Sequence, residues 1–442
     1  MWTTDVRGIL LHPTEAKAWL LADPEGYRLP GFTFGHAEGV YLPNQFDGAL
    51  IPGLREVYGC DLYLLRQVAE WQDFDSQRAK VVCVLEMKEG QPTKGEWMDI
   101  QTTSLQPFNE PEHGQLVRQA LSELGEEGVT PPQCPWQRRG WFRQAVRWIE
   151  QELPRLGYGP VTNIEQGRAT NNSAILRAHS SQGVFYFKAV ADVPWLANES
   201  VVVDTLATHY PHLIPKPICT DTARRWMLTA EFGPLLNDPE RDQEVLVRAV
   251  YAYGQMQLDS VAHTTDLLAT DLFGYDLDRF SSKVEALVRE SAVEELLESE
   301  DITKLRHYLS LVDEYSRRLT NSSIPQTIVH GDFTIHNIAR RNGDPLVFDW
   351  TSASISFPFF DMVELLRHRE VETIHSDLKM AYLSAWTGCA PISELEKLWV
   401  VAEPLGFLFM ALHFRAMWGD YLPLGEPIPY FLRRAIRSIE EN

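Results

Sequence analysis

The chain has 442 residues, which is long for a single domain, so two or three domains are expected. Its 61 acidic residues outnumber the 40 basic ones and give a formal net charge of −21. A nucleic-acid partner is therefore not expected, because binding a phosphate backbone requires a basic surface. The same charge favours a cationic small ligand. No apolar run approaches the length of a membrane span, so no membrane partner is expected.

The cysteines and the N-terminal residues indicate the cellular compartment in which the protein is expected. The cysteines form no Cys-x-x-Cys pair, so the sequence gives no sign of a zinc site or a disulfide framework. They are Cys60, Cys83, Cys134, Cys219 and Cys389. Residues 1–5 do not begin a signal peptide. A reducing cytoplasm is the predicted location.

Residues 1–130 are predicted to form a separate, smaller α+β domain. Residues 6–11 and 80–85 are rich in aliphatic and β-branched side chains, which predicts strands. A Pro-rich break follows at residues 130–135. Residues 131–140 are therefore interpreted as a linker.

This N-terminal domain weakly resembles the Nudix hydrolase fold, whose signature has a Gly, a Glu, an Arg-Glu pair and then paired acidic residues. When the chain is aligned on Arg55 and Glu56, the paired acids fall at Gly59 and Cys60, which cannot replace carboxylates that bind Mg²⁺. Asp47 lies near the earlier acidic position. The resemblance implies a degenerate domain without catalysis, and hydrolysis of a nucleoside diphosphate derivative is the alternative.

Residues 141–233 are predicted to form a β-rich lobe. Apolar residues recur at helical spacing over residues 142–153, which predicts an amphipathic helix. Two β-rich runs follow, residues 174–178 and 184–190, joined by a polar turn that ends at Gly183. This arrangement predicts a hairpin.

Three features of this lobe match the needs of an ATP site: a lysine on a strand, an acidic residue on the next helix and a loop that can approach phosphates. Lys188 is the lone Lys of the second strand, and Glu199 lies on the following helix, where it could pair with Lys188. Residues 166–173 form the candidate loop, with Gly167 and Ser173, although repeated glycines are missing. The alternatives are an edge-strand charge for Lys188 and a solvated helix face for Glu199.

A second lobe is predicted from residue 234 to residue 442, where the pattern is mostly helical. Just before it, the apolar run at residues 226–230 leads into Glu231 and Phe232. This connection is the predicted hinge that presents backbone groups to adenine. An ordinary strand and turn is the alternative.

Residues 329–349 carry the most informative pattern. The segment 330–332 reads His-Gly-Asp, Asn337 follows, and a further apolar strand ends at Asp349. Phosphoryl transfer from ATP needs a carboxylate that accepts the proton of the attacking hydroxyl, and side-chain oxygens that hold Mg²⁺ on the phosphates. Asp332 fits the first role, and the other two residues fit the second because Mg²⁺ prefers oxygen ligands. A surface loop with capping carboxylates is the alternative.

From about residue 135 onward, the chain resembles the aminoglycoside phosphotransferase/choline kinase-like family, the small-molecule branch of the protein-kinase-like fold. The resemblance rests on the His-Gly-Asp…Asn pattern of residues 330–337, on Asp-Trp at 349–350, and on Pro358 with Asp361 before an apolar helix. It implies an α+β protein with a bilobal kinase-like fold, a β-rich N-lobe and a helical C-lobe. The small N-terminal domain precedes this fold.

By this resemblance, Asp332 is the catalytic residue, and Asn337 and Asp349 bind Mg²⁺. Lys188 binds the phosphates of ATP, and Glu199 is its partner. ATP is expected to lie between the two lobes.

Asp361 is interpreted as a structural residue, the N-cap of the helix that follows it. The chain also departs from the pattern of protein kinases. Thr334 stands where the aminoglycoside phosphotransferase/choline kinase-like family frequently has His and where protein kinases usually have Lys, and Trp350-Thr351 replaces the Phe-Gly that follows the metal-binding Asp in protein kinases. These departures argue for a small hydroxylated substrate.

The sequence therefore predicts a cytoplasmic, ATP- and Mg²⁺-dependent phosphotransferase acting on a hydroxyl group of an aminoglycoside, an amino alcohol or a sugar-like molecule. In the resembled family, the C-terminal helices build the acceptor pocket, and here they are rich in aromatic residues. Each aromatic residue is interpreted as core, with the pocket as the alternative. They are Trp386, Phe407, Phe409, Phe414, Trp418, Tyr421, Tyr430 and Phe431. The alternative function is a kinase-like protein that binds a ligand with little or no catalysis.

Overall fold

The computed structural model describes residues 2–24, 26–36, 50–73, 76–99, 108–122, 134–270, 272–418 and 427–441. The chain forms two compact units, Met1–Ala191 and Asp192–Asn442. The expected α+β class is confirmed, since the first unit is rich in strands and the second in helices. Asp47, Tyr421 and residues 130–133 of the Pro-rich break lie outside the described residues.

In the described part of the first unit, seven strands form a mixed sheet. Its central strand β1 runs parallel to β6 and antiparallel to β2 and β4. The strands are β1 (Trp2–Leu11), β2 (Lys17–Asp23), β3 (Gly26–Arg28), β4 (Gly31–His36), β5 (Asp61–Asp73), β6 (Arg78–Glu89) and β7 (Glu96–Asp99). Both strands predicted for this region are confirmed, as β1 and β6.

Two helices accompany this sheet, α1 (Leu50–Tyr58) and α2 (Pro111–Ser122). Helix α1 buries an apolar face that includes Leu54 and Tyr58 against the sheet. The Tyr58 hydroxyl donates a hydrogen bond to the Gly8 carbonyl at 2.7 Å. The helix is thus attached to the central strand by both packing and a buried hydrogen bond.

The remainder of the first unit has one helix and an antiparallel set of three strands. These are α3 (Trp141–Arg155), β8 (Val161–Ala169), β9 (Ser173–Ser180) and β10 (Gly183–Val190). The predicted amphipathic helix is confirmed as α3, whose Phe142, Ile149 and Leu153 are fully buried. The predicted hairpin is confirmed as β9 and β10.

Strand β8 is hydrogen-bonded to the seven-stranded sheet through side chains. The Gln166 amide accepts from the Leu64 N–H at 2.9 Å and donates to the Leu64 carbonyl at 2.8 Å. The Lys88 ammonium donates to the Ile164 carbonyl at 2.8 Å. The backbone just before Gly167 is therefore held in place from the neighbouring sheet.

Helix α3 is fixed to the same sheet. The ring of Tyr63 stacks on Phe142 with centroids 4.8 Å apart. The buried Glu86 carboxylate accepts from the Gly140 N–H at 2.8 Å and forms an ion pair with Arg143. The last residue of the predicted linker is thus bound to the sheet, and the whole first unit folds as one body.

The second unit is mostly helical. Its helices are α4 (Glu199–His209), α5 (Pro239–Ser260), α6 (Thr264–Leu268), α7 (Phe280–Val288), α8 (Ser291–Glu294), α9 (Ser299–Thr320), α10 (Phe360–Leu366), α11 (His375–Ala385), α12 (Ile392–Trp418) and α13 (Pro427–Glu441). Among the described residues, none of the helices has both the length and the apolar character that crossing a bilayer would require.

Short strands interrupt these helices. They are β11 (Cys219–Asp221), β12 (Trp226–Ala230), β13 (Phe273–Gly274), β14 (Thr327–Val329), β15 (Ile338–Arg341), β16 (Asp344–Val347) and β17 (Ser354–Ser356). β11 pairs with β12, β15 pairs with β16, and β17 lies between β13 and β14. The last two sets place the residues on either side of the predicted catalytic loop.

Four of the eight aromatic residues named for the C-terminal helices are buried in the core. Trp386, Phe407, Phe409 and Phe431 are buried. Tyr430 is exposed. The core interpretation is therefore confirmed for these four, and their burial supplies much of the apolar area that stabilises the helical unit.

His413 is a buried titratable group in this core. It lies on α12 with its ring stacked near Phe409, at a centroid distance of 6.1 Å. Its Nε2 has no hydrogen-bond partner among the described residues. Burial lowers the pKa of His413 from 6.5 to about 4.

This lowered pKa predicts a loss of stability in acid. Between pH 6.5 and pH 4, the unfolded chain binds a proton at position 413 that the native state cannot bind, so stability falls as the pH falls. At pH 5 the loss from this group is expected to be about 2 kcal/mol relative to pH 7. Urea unfolding of the wild type and of His413→Phe at both pH values measures it. The variant should lose about 2 kcal/mol less than the wild type.

The exposed His307 on α9 provides the control. His307→Phe should retain the pH dependence of the wild type. Equal losses in the wild type and in His413→Phe would contradict the prediction.

Candidate active site

The predicted catalytic loop begins where β14 ends. The chain turns at Gly331, whose φ of 77° lies in the left-handed region that favours glycine. A Cβ atom at this position would collide with the carbonyl oxygen of Ser352. The Gly of the His-Gly-Asp pattern is thus required by backbone conformation and by space.

Asp361 on α10 holds the backbone of this loop. Its carboxylate accepts the N–H of His330 at 2.7 Å and the N–H of Gly331 at 2.8 Å. The Tyr253 hydroxyl also donates to Asp361, and the Gln257 amide donates to that hydroxyl at 3.0 Å. Burial raises the pKa of Asp361 to about 6, although these donors oppose the rise. A buried network in which each group has a partner fixes the loop in one geometry.

The prediction that Asp361 caps α10 is wrong. Phe359 occupies the N-cap position, and Asp361 is the second residue inside the helix. Its carboxylate instead accepts hydrogen bonds from two buried backbone N–H groups of the loop, which need an acceptor. The sequence could not show this, since the contact joins residues about 30 positions apart.

Asp332 and Asn337 meet across the loop. A 3-10 turn at Ile335–Asn337 brings the Asn337 side chain back onto Asp332. The Asn337 amide nitrogen donates to Oδ2 of Asp332 at 2.9 Å and to its backbone carbonyl at 2.8 Å. The amide oxygen is then the atom left to bind a metal ion. Asn337 is buried and Asp332 is half-buried, so the alternative of an exposed surface loop is wrong.

The hairpin of β15 and β16 brings Asp349 to the same place. The Phe348 N–H donates to the Asn337 carbonyl at 3.1 Å. Asp349 follows with φ 65°, a left-handed conformation that costs free energy for a residue other than glycine. Its Oδ1 accepts the Thr351 hydroxyl at 2.7 Å. Backbone strain of this kind is concentrated at functional sites, which agrees with the predicted role of Asp349.

Negative charge is concentrated around Asp332. Its pKa is raised to about 8, first by burial and then by the nearby carboxylates of Glu364 and Asp349. Glu364 is buried and pairs with Arg367, with the guanidinium Nε at 2.7 Å. A divalent cation at Asn337 and Asp349 would offset this repulsion, and their side-chain oxygens are the ligands that Mg²⁺ prefers. The residues present therefore fit the predicted ion.

Glu199, the first residue of α4, is buried. Its carboxylate accepts the Trp350 N–H at 2.9 Å, and its second oxygen lies 3.0 Å from the Thr351 hydroxyl oxygen. Glu199 thus ties α4 to the residues that follow Asp349. A solvated helix face, the alternative for Glu199, is wrong.

Lys188 lies on β10 and is only 8% exposed, so an exposed edge-strand charge is wrong for it. Its burial requires compensation for the ammonium charge. The predicted pairing of Lys188 with Glu199, and its contact with phosphates, stay predictions.

The predicted phosphate-covering loop is shorter than expected. Gly167 lies inside β8, and Ser173 begins β9. The pairing of β8 with β9 shifts register between Gln166 and Ala169, so Gly167 falls in a bulge rather than in the turn. The turn itself contains only residues 170–172, none of which is glycine.

Three side chains before α3 hold this turn, and the sequence analysis missed them. The buried Trp136 donates its indole N–H to the Thr170 carbonyl at 2.7 Å. The Cys134 thiol lies 3.0 Å from the Asn171 carbonyl, and the Gln137 amide donates to the Asn171 side chain at 3.1 Å. Hydrophobicity alone marks Trp136 as core, so no sequence signal identified its polar contact.

The predicted hinge residues follow β12. Glu231 is exposed, and Phe232 is half-buried. The Phe232 ring lies 5.0 Å from the ring of Phe348, the residue before Asp349. The predicted adenine segment is therefore adjacent to the predicted metal ligands within the second unit.

With this geometry established, comparison with known proteins gives one sequence match. Residues 196–392 match the model of the family described as "Phosphotransferase enzyme family". This segment is similar to phosphotransferases. It contains Glu199, Asp332, Asn337 and Asp349, and it supports the phosphotransferase part of the resemblance. No curated protein matches the sequence significantly.

Solved structures give more distant likenesses. The choline kinase LicA from Streptococcus pneumoniae is 16% identical, with 68% of this chain and 100% of that chain covered at a TM-score of 0.48. A choline/ethanolamine kinase family protein from Mesorhizobium loti is 17% identical, with 67% and 94% covered and a TM-score of 0.47. Macrolide 2'-phosphotransferase type I is 13% identical, with 66% and 97% covered and a TM-score of 0.43. The Nudix-like character of residues 1–130 stays a prediction.

Removal of the Asp361 carboxylate is expected to lower the stability of the protein strongly. Asp361→Ala leaves the N–H groups of His330 and Gly331 buried without this acceptor, at a cost of about 1–3 kcal/mol each. We expect urea unfolding to show a destabilisation of about 3 kcal/mol or more. The control is Asp377→Ala on α11, where the carboxylate is exposed, and it should change stability by less than about 0.5 kcal/mol. Equal effects of the two substitutions would contradict this role for Asp361.

Loss of the Trp136 indole N–H is expected to destabilise the turn at residues 170–172 locally. Trp136→Phe removes this donor while it keeps most of the buried ring, so the turn at residues 170–172 loses a hydrogen bond worth about 1 kcal/mol. Amide hydrogen exchange at these residues is expected to become roughly fivefold faster. Trp71→Phe, at an exposed position on β5, should leave that exchange unchanged. An unchanged rate in Trp136→Phe would show that the turn does not depend on this contact.

Proposed function

We propose that the protein is an ATP-dependent phosphotransferase that phosphorylates a hydroxyl group of a small molecule. The observation that carries this proposal is the convergence of Asp332, Asn337 and Asp349 in one unit, with an amide that already donates to Asp332. Little covalent chemistry is required of the protein in phosphoryl transfer, so placing these groups is the main task.

Asp332 is the group that orients the acceptor hydroxyl and takes its proton. The Asn337 amide holds one carboxylate oxygen, which leaves the other oxygen for the acceptor. Asn337 and Asp349 would hold Mg²⁺, which when bound supplies charge neutralisation on the transferred phosphoryl group. Thr351 keeps the Asp349 carboxylate oriented.

The nucleotide is proposed to contact Lys188, the turn after Gly167 and the predicted hinge. Lys188 would pair with phosphates, and the turn after Gly167 would cover them. Phe232 would place the hinge backbone beside adenine. Glu199 would keep α4 in place relative to Asp349 through its hydrogen bond from the Trp350 N–H.

The acceptor is proposed to be an aminoglycoside, an amino alcohol or a sugar-like molecule. The net charge of −21 favours a cationic acceptor. Glu364 is neutralised by Arg367, so Asp332 and Asp349 are the carboxylates left to act on ligands at this site. A cytoplasmic location remains part of the proposal.

One observation favours a second candidate function, a kinase-like protein that binds a ligand without transferring phosphate. The turn at residues 170–172 has no glycine and is held by side chains from residues 134–137, so its backbone is less free to close on phosphates than a glycine-rich loop.

The decisive experiment is ADP release by the full chain with ATP and Mg²⁺ across a panel of aminoglycosides, amino alcohols and sugars. The wild type should turn over with at least one of these acceptor classes. Asp332→Asn, which keeps the shape and the contact with Asn337, should lower turnover by roughly 100-fold or more. Asp377→Asn, at an exposed position, should match the wild type. Equal turnover by the wild type and Asp332→Asn would remove the catalytic assignment.

A measurement of ATP binding distinguishes the two candidate functions. If no acceptor is phosphorylated, a thermal shift with ATP and Mg²⁺ that disappears in Asp349→Asn would favour the ligand-binding protein. If neither protein shows such a shift, the nucleotide assignment is wrong.

A further inference from the structure

Two histidines and a glutamate meet beside the catalytic loop without a role in the proposed reaction. His336 lies in the turn Ile335–Asn337, His368 follows α10, and Glu370 lies in the next 3-10 turn. One ligand atom from each of these side chains lies within 4.8 Å of those from the other two. The cluster thus joins positions more than 30 residues apart in the chain.

The ring geometry suits a metal ion. The rings of His336 and His368 are perpendicular, with an interplanar angle of 88° and centroids 5.9 Å apart. Two imidazoles bound tetrahedrally to one Zn²⁺ have ring centres about 5 Å apart, because each Zn–N bond is about 2.0–2.1 Å. A small side-chain movement would therefore bring both rings into coordination distance.

A second cluster in the same unit is less suitable. His209, His263 and Asp266 also place ligand atoms within 4.8 Å of one another. Their rings, however, are stacked at 3.8 Å with an interplanar angle of 25°. Stacked rings direct their nitrogen lone pairs side by side, so both would have to separate and turn before they could share one ion.

The state of His368 also favours coordination. Burial lowers the pKa of His368, and the Arg367 charge lowers it further, so the ring is neutral at pH 7 and retains a lone pair. Its Nε2 is buried and has no hydrogen-bond partner among the described residues. The carboxylate oxygens of Glu364 and Glu370 lie 3.9 Å and 3.8 Å from its two nitrogens, too far for hydrogen bonds. Nδ1 is thus the ring nitrogen that faces Glu370 and is placed to bind a cation, whereas Nε2 faces Glu364.

We propose that His336, His368 and Glu370 form a binding site for a divalent first-row transition-metal ion of the Zn²⁺ class. Two imidazole nitrogens and one carboxylate oxygen suit such an ion, whereas Mg²⁺ favours oxygen ligands alone. His336 and Glu370 are exposed, so a fourth coordination position is open to solvent. The bound ion would connect the catalytic-loop turn to the segment after α10. Metal binding at this site does not require that the proposed phosphoryl transfer be correct.

Isothermal titration of ZnCl₂ into the full chain, purified without a histidine tag and freed of metal, tests the site. The wild type should bind one equivalent with higher affinity than any other site on the chain. His336→Asn and Glu370→Gln change exposed side chains, so they should fold normally, and each should weaken this step by about tenfold or more. A large excess of Mg²⁺ should leave the Zn²⁺ isotherm unchanged.

His209→Asn is the matched control, since it disrupts the stacked cluster and leaves the proposed site intact. It should retain the affinity of the wild type. The proposal is overturned if the wild type shows no Zn²⁺ step, if His336→Asn and Glu370→Gln bind as the wild type does, or if His209→Asn alone removes the step. Displacement of Zn²⁺ by Mg²⁺ would also overturn it.

Discussion

The site depends on one buried carboxylate. Asp361 accepts two consecutive backbone N–H groups, those of His330 and Gly331, at the point where the predicted catalytic loop leaves its strand. These donors cannot reach water, so the carboxylate must stay in position for the loop to keep its conformation. Tyr253 completes the arrangement by donating to the same group. The position of Asp332, the next residue, follows from this constraint.

Two further contacts bring the remaining groups to Asp332. The hairpin of β15 and β16 places Phe348 against the Asn337 backbone, and Asp349 comes directly after it. From another direction, Glu199 binds the backbone of Trp350. The predicted catalytic loop, the segment that carries Asp349 and helix α4 are thus joined by hydrogen bonds to main-chain atoms, which hold geometry more tightly than contacts between two flexible side chains do.

Local patterns in the sequence predicted much of this arrangement. Phosphoryl transfer, the proposed reaction, requires particular residue types at short spacing, so Asp332, Asn337 and Asp349 could be proposed from the chain alone. Helix α3 and the hairpin of β9 and β10 were also predictable, because helical and strand periodicities are local properties.

The rest depended on contacts between distant residues. Asp361 has the local pattern of a helix cap, and only the folded chain shows that its acceptors serve a loop about 30 residues away. Gly167 has the pattern of a loop residue, yet pairing with β9 continues past it through a bulge. Trp136 carries no sign of its hydrogen bond, because its ring and its N–H point to different partners. Such assignments require tertiary structure.

The paired hydrogen bonds between the Gln166 amide and the Leu64 backbone make β8 dependent on the amino-terminal sheet. The Gln166 amide pairs with the Leu64 N–H and C=O as the backbone of a neighbouring strand would. Removal of the amino-terminal sheet would leave this amide without its partners. It would also expose Phe142, on which Tyr63 stacks. The amino-terminal sheet and the β-rich segment that follows it therefore stabilise each other. A variant that lacked this sheet would expose an aromatic surface that is prone to self-association.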